Sequence, residues 1–141
     1  LSKIKNIVGI KEASGNISQI TKIASLCGDN LPIYSGNDDQ ILPILSLCGQ
    51  GVISVLSNVA PKYTHEMVQN FFDGNIAEAT QMQLDAIDLV GSLFCEVNPI
   101  PVKEALNMMG YNFGVPRLPL VRLSEKNQEK LRTSLKNFGL I

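Results

Sequence analysis

The stretch "IVGIKEASGN", residues 7–16, decides how the rest of the chain is read. Its first four residues form a short apolar run rich in β-branched side chains, the pattern of a strand buried on both faces. The run ends in a single cation, Lys11, and breaks into a small polar loop around Gly15. Two more runs of the same kind follow, Leu31 to Ser35 and Val52 to Leu56, each separated from the last by a segment of helical period.

The first of those segments opens at Asn16, a good N-cap, and places Ile17, Ile20, Ile23, Ala24 and Cys27 at spacings of three and four before Gly28. The second opens near Asp38 and Asp39, sets Ile41, Leu42, Leu45 and Cys48 on one side, and stops at Gly49; Pro43 falls within its early turns, where a missing N–H costs least. Apolar strands joined by helices imply a parallel sheet that is covered on both sides or closed into a barrel. Right-handed crossovers put all three strand C-termini at one end. From Pro61 onward the strand pattern disappears, and the periodicity predicts helices over 61–72, 75–95, 99–109 and 124–138, with Gly74 and Gly110 as stops and Ser124 as an N-cap. Two prolines keep "VPRLPL", residues 115–120, out of any helix. The expected fold class is therefore α/β, with residues 1–73 as three parallel βα units and residues 74–141 as a helical domain. A closed (β/α)8 barrel takes about 250 residues, so this chain reads as the last part of something larger. Its start at Leu1 instead of a methionine points the same way.

Composition narrows the function classes. The 141 residues are 45% hydrophobic with a formal net charge of −1, which suits a globular domain and disfavours nucleic acid or an anionic membrane as a partner. No apolar run approaches a membrane span and the N-terminus carries no signal pattern, so a cytoplasmic location is the default expectation. Cys27, Cys48 and Cys95 stand far apart without metal-ligand spacing, and are expected as buried reduced thiols with no metal.

Alternation along Ile7, Val8, Gly9, Ile10 and Lys11 puts Gly9 on the same face as Lys11, where it leaves room for a long side chain or a ligand. The C-terminal ends of parallel strands are where active sites are built. An amine held there in an apolar pocket is disfavoured as the cation, so its nucleophilic fraction rises. The residues alone leave a second reading open, in which Lys11 turns outward, pairs with Glu12 or snorkels into solvent.

The segment "VGIKEASGN" resembles the Schiff-base lysine segment of the dihydrodipicolinate synthase family, the pyruvate-dependent aldolases that include N-acetylneuraminate lyase. "YSGNDD" at 34–39, "GVISVLSNV" at 51–59 and "NPIPVKEAL" at 98–106 match the same family in order, so the resemblance spans essentially the whole chain. It implies the C-terminal part of a (β/α)8 TIM barrel, with strands six to eight followed by a helical domain. It implies that Lys11 condenses with pyruvate, that the resulting enamine attacks aspartate semialdehyde, and that no cofactor or metal takes part. By the same likeness Gly36 lines the pyruvate site. Ile53 offers its backbone carbonyl close to the lysine, with its N–H or neighbouring surface near pyruvate.

The family's proton-shuttling tyrosine, its relay threonines and its substrate-holding arginine come from earlier strands and have no counterpart here; Tyr34, Tyr63 and Tyr111 do not match, and read as packing or interface residues. This chain is therefore expected to be inactive alone. His65 reads as an exposed structural residue, Asp38 and Asp39 as a helix start, and Lys103 as solvated or interfacial. Met108, Met109 and Phe113 read as helix packing. Another aldolase of the same family and a non-catalytic oligomerisation module are the competing readings. Open strand edges and an uncovered inner face lead to an expectation of self-association.

Overall fold

Parallel pairing of three short strands organises the first part of the chain. In the computed structural model, which describes residues 1–141, β1 (Ile10–Glu12), β2 (Ile33–Ser35) and β3 (Gly51–Val52) form one sheet in the order β1-β2-β3. Both pairings are parallel, with Ile10 opposite Ile33, Lys11 opposite Tyr34, and Tyr34 opposite Gly51. Because side chains alternate, one face carries Ile10, Glu12, Ile33, Ser35 and Val52, and the other carries Lys11, Tyr34 and Gly51.

The crossover from β1 to β2 is α1 (Ile17–Cys27). The Asn16 side chain accepts the Gln19 N–H at 3.1 Å, and Gly28 ends the helix at φ 51°, so both ends lie where the sequence predicts them. The next crossover is a 3₁₀ turn at Asp38–Gln40 leading into α2 (Ile41–Leu45). Ile20, Ile33 and Ile44 are buried together, with Ile10, Ile23, Ala24 and Leu47 packed around them. Each of the three buried isoleucines contributes about 1.5–3 kcal/mol by leaving water. That burial seats α1 and α2 on the Ile10–Ile33 face.

Contacts divide the chain into two compact units, one of residues 1–54 and 66–83, the other of residues 55–65 and 84–141. The first takes in the later part of α3 (Pro61–Phe72) and most of α4 (Ile76–Asp85). In the second unit, α5 (Ile87–Leu93), α6 (Ile100–Met108) and α7 (Glu125–Asn137) pack on one another and bury Leu89, Leu93, Leu131 and Leu135. A hydroxyl pair crosses from α5 to α7: Ser134 Oγ donates to Asp88 Oδ2 at 2.7 Å and lies 2.7 Å from Ser92 Oγ. Tyr63 meets Phe138 edge-on, with ring centroids 4.8 Å apart.

Several expectations change. β1 begins at Ile10 instead of Ile7, because a strand exists only where it has a partner, and the ladder starts with the Ile10 N–H donating to the Pro32 carbonyl at 2.8 Å. Lys11 is thereby the middle residue of β1, not its exit. β3 ends at Val52, and Leu56–Asn58 is a buried-edged 3₁₀ turn instead of strand. The helix predicted over 75–95 is two helices meeting at Ala86, near the point where the chain passes from one unit to the other. Ser124 stands at the N-cap of α7 with extended backbone, yet its hydroxyl donates to Glu96 Oε1 at 2.6 Å instead of capping the helix. The same oxygen accepts from Asn127 Nδ2 at 2.7 Å, and these bonds hold the Glu96 carboxyl below its usual range. Phe113 is exposed and leans edge-on toward Tyr111, so it does not join helix packing.

The cysteines are free thiols, but Cys27 and Cys95 are only partly buried and Cys48 is exposed. Cys48 departs furthest from expectation because it, and not Gly49, takes the left-handed conformation after α2, with φ 67°. Its N–H donates to the Leu45 carbonyl and the Gly49 N–H to the Ile44 carbonyl, a Schellman-type ending. Gly49 is needed for space instead: a β-carbon there would lie 2.6 Å from the Ile44 carbonyl oxygen. Replacing Cys48 by glycine removes the steric cost of a side chain at positive φ. C48G is expected to raise unfolding stability by about 1 kcal/mol, read as a higher urea midpoint at unchanged slope.

Candidate active site

Lys11 projects from the centre of β1 onto the face that α1 and α2 do not cover. Tyr34 on β2 and Gly51 on β3 stand beside it, and Gly36 and Ile53 follow them two residues later on the same face. Lys11, Gly36 and Ile53, three residues singled out from the sequence, are thus brought to one end of one face. The face is open in this chain: Lys11 is exposed, Tyr34 is 37% exposed and Ile53 50%. The apolar pocket expected around the amine is not formed by these 141 residues.

Gly36 is fitted to the lysine by contact. A β-carbon at position 36 would lie 2.8 Å from Lys11 Cε and 2.7 Å from the Ala13 β-carbon, so the lysine stem runs directly over this glycine. The Gly36 N–H donates to the Glu12 carbonyl at 2.7 Å and draws the two loops together. The space expected above Gly9 is filled by Tyr34, whose ring lies 3.5 Å from a β-carbon built at Gly9 and 3.7 Å from one built at Gly51. The Ile53 N–H donates to the Ser35 carbonyl at 2.8 Å and extends the ladder past β3, so that N–H is engaged within the sheet.

Glu12 does not pair with Lys11, because alternation turns it to the opposite, buried face. Its Oε1 accepts the Ser14 N–H at 2.7 Å, closing the turn that follows the lysine. Hydrogen bonds from Ser14 foremost, helped by the Gln19 side chain and the Ala13 backbone, hold its carboxyl below the usual range against the opposing effect of burial. On the second loop, Ser35 Oγ donates to the Asn37 carbonyl at 2.8 Å, and Gln40 Nε2 reaches back to the Gly15 carbonyl at 3.1 Å. Gln83 on α4 holds the same loop from behind: its Nε2 donates to the Asp38 carbonyl at 2.8 Å and its Oε1 accepts the Leu42 N–H at 3.3 Å.

The other candidates belong to other elements. His65 is exposed on α3, Asp39 is exposed, and Asp38 is buried in the 3₁₀ turn before α2. Lys103 Nζ donates to the Val115 carbonyl at 3.1 Å, pinning the segment after α6. No group of three or more His, Cys, Asp or Glu converges as a metal site, and no helix is long and apolar enough to cross a membrane.

A strand lysine laid over a glycine, on the open face of a parallel sheet, is a geometry that comparison with known proteins can place. The family model described as the dihydrodipicolinate synthetase family matches residues 1–138. The chain belongs to that family. It is 56% identical to the 4-hydroxy-tetrahydrodipicolinate synthase of Caldicellulosiruptor saccharolyticus, over 99% of this chain and 47% of that protein. Among solved structures it is similar to the dihydrodipicolinate synthase of Thermotoga maritima, at 45% identity and a TM-score of 0.95 over 99% of this chain and 48% of that one. It is also similar to the Acinetobacter baumannii dihydrodipicolinate synthase solved in complex with pyruvate, at 38% identity and a TM-score of 0.95 over 100% of this chain and 48% of that one. The chain spans about half the length of these family members.

Sequence reading offered Glu12 only as a partner for Lys11, not as the residue that closes the following turn, and overlooked Gln40 and Gln83. The two-residue step from Glu12 to Ser14 is a local signal for the first; the glutamines act across 25 to 45 residues and leave none. Because the folded-state carboxyl of Glu12 titrates below its unfolded value, its stabilising effect is present above the ordinary carboxylate range and lost as pH falls through the folded value. The stability advantage of the native chain over E12Q is accordingly expected to be full at neutral pH and to shrink as pH is lowered below the ordinary carboxylate range. Urea unfolding of both proteins across a falling pH series measures it.

Proposed function

We propose that this chain is the C-terminal half of a dihydrodipicolinate synthase-type lyase and carries its nucleophile, Lys11. On this reading β1, β2 and β3 are the sixth, seventh and eighth strands of a (β/α)8 barrel, residues 1–73 complete that barrel, and residues 74–141 form its C-terminal helical domain. The observation that carries the proposal is the Lys11 stem lying over Gly36 on the open face of the sheet, in a chain whose family includes a structure complexed with pyruvate.

The Lys11 amine adds to the ketone carbon of pyruvate and water leaves, giving a protonated imine. That cation is the electron sink: the pyruvyl methyl group loses a proton and the C–H pair becomes the enamine double bond. The enamine carbon attacks the aldehyde of aspartate semialdehyde. The amino group of that substrate then closes on the imine carbon and displaces Lys11, which regenerates the free amine and releases the ring. The protonated imine supplies the polarisation, so no metal or cofactor is invoked. Gly36 leaves room for the lysine stem and lines the pyruvate site, and the Ile53 carbonyl stands near the amine. The acid–base groups and the second-substrate contacts belong to the other half of the barrel.

The isolated chain is therefore expected to show no synthase turnover. The test treats two proteins with pyruvate and borohydride, which reduces the imine to a stable amine, and locates the adduct by mass spectrometry. One is this chain; the other is a fusion in which the N-terminal half of the Caldicellulosiruptor saccharolyticus relative precedes Leu1. A pyruvyl adduct at Lys11 in the fusion, with little or none in the chain alone, is the expected result. No adduct at Lys11 in the fusion rejects the reading.

Self-association belongs to the same proposal. The uncovered face leaves Tyr34 and Ile53 in water, and pairing with a second copy is one way to bury it. Light scattering at micromolar concentration is expected to give a mass above that of one chain, and a strictly monomeric mass would count against it.

A further inference from the structure

Gln83 is the one long polar side chain of α4 that is both buried, at 7% exposure, and bonded at both ends of its amide to a distant loop. An uncharged amide offers one acceptor and donors on a rigid plane, the same pattern as a peptide group. It meets one of each on the loop after β2. Leu42 lies in the first turn of α2, where its N–H has no acceptor within the helix, and Gln83 Oε1 supplies one. The Asp38 carbonyl, at the start of the preceding turn, takes the Gln83 N–H. The two bonds span the turn from both sides and fix its backbone.

What that turn holds is the Lys11 loop. Gly36, two residues before Asp38, supports the lysine stem and bonds to the Glu12 carbonyl. Gln40, inside the turn, bonds to the Gly15 carbonyl. A shift of the turn would therefore move both attachments of the lysine loop at once. We propose that Gln83 is a positioning residue for Lys11, acting from α4 through the Asp38–Leu42 turn, Gly36 and Gln40 on the direction of the amine. The proposal rests on the Schiff-base reading of Lys11. It assigns the segment beyond the last strand a part in aiming the nucleophile, beyond covering the sheet.

Two variants test it in the fusion described above. Q83L matches the side chain in size and removes both bonds; Q83E keeps an acceptor for Leu42 N–H and loses the donor to Asp38. Trapping of the pyruvyl adduct at Lys11 is timed against pyruvate concentration. Misdirection of an amine slows attack without removing contacts to pyruvate, so Q83L is expected to cut the saturating rate by about tenfold while the half-saturating pyruvate concentration stays within about twofold, with Q83E between Q83L and the native protein. Equal saturating rates in Q83L and the native protein overturn the proposal, as does a change confined to the half-saturating concentration. If circular dichroism finds Q83L unfolded, Q83E decides alone by the same criterion. Amide hydrogen exchange in the 141-residue chain separates this from failure of the chemistry. Should the native fusion trap no pyruvate at Lys11, the Schiff-base reading fails. The positioning link still stands if residues 12–16 exchange at least about fivefold faster in Q83L, and falls if only residues 38–42 respond.

Discussion

Parallel register between β1 and β2 is the constraint on which the candidate site depends. Setting Lys11 opposite Tyr34 fixes which residues share its face, and the two-residue period then brings Gly36 to the lysine stem. A slip of one residue would turn Lys11 toward Ile20 and Ile44 and bring Glu12 to the open face. The buried isoleucines oppose that slip: Ile10 and Ile33 must face α1 and α2, and their burial holds Lys11 outward. The apolar core and the outward position of Lys11 are thus two consequences of one register.

The loops beyond the strands are held by a different kind of interaction. The Ser14–Gly15 turn and the turn at Asp38–Gln40 are fixed by a few hydrogen bonds with named partners. Glu12 closes the first, Gln40 joins it to the second, and Gln83 anchors the second to α4. The Gln83 bonds are buried, and contacts of that kind contribute little net stability when satisfied but are costly to break on one side only. They suit a site where direction matters more than strength.

Much of this was legible in the chain itself. Asn16 and Gly28 bracket α1 as capping chemistry dictates, Pro61 opens α3, and Gly74 and Gly110 follow helices that end where the periodicity ends. Lys11 could be singled out from its place after an apolar run, whereas Gly36 and Ile53 were named only through the resemblance of their short segments to a known family. Less was legible where two segments compete or where a partner is remote. The hydroxyl of Ser124 has a cap position and yet prefers Glu96, which is 28 residues away. Gly49 looks like the left-handed stop after α2, but Ile44 needs its missing side chain for space and Cys48 takes the positive φ.

By itself the sequence determined the alternation of strand and helix, the ends of α1 and the start of α3, and the residue types available for chemistry, because each depends on neighbours within a few positions along the chain. Only the tertiary structure decided that Lys11 lies within β1 over Gly36, that Tyr34 fills the space beside Gly9, and that Glu12 faces away from the lysine. It alone joined Gln83 to the loop of Gly36 and Gln40. The reason is physical: strand pairing and buried hydrogen bonds are interactions between residues tens of positions apart, and their partners are chosen by packing geometry that no local pattern encodes.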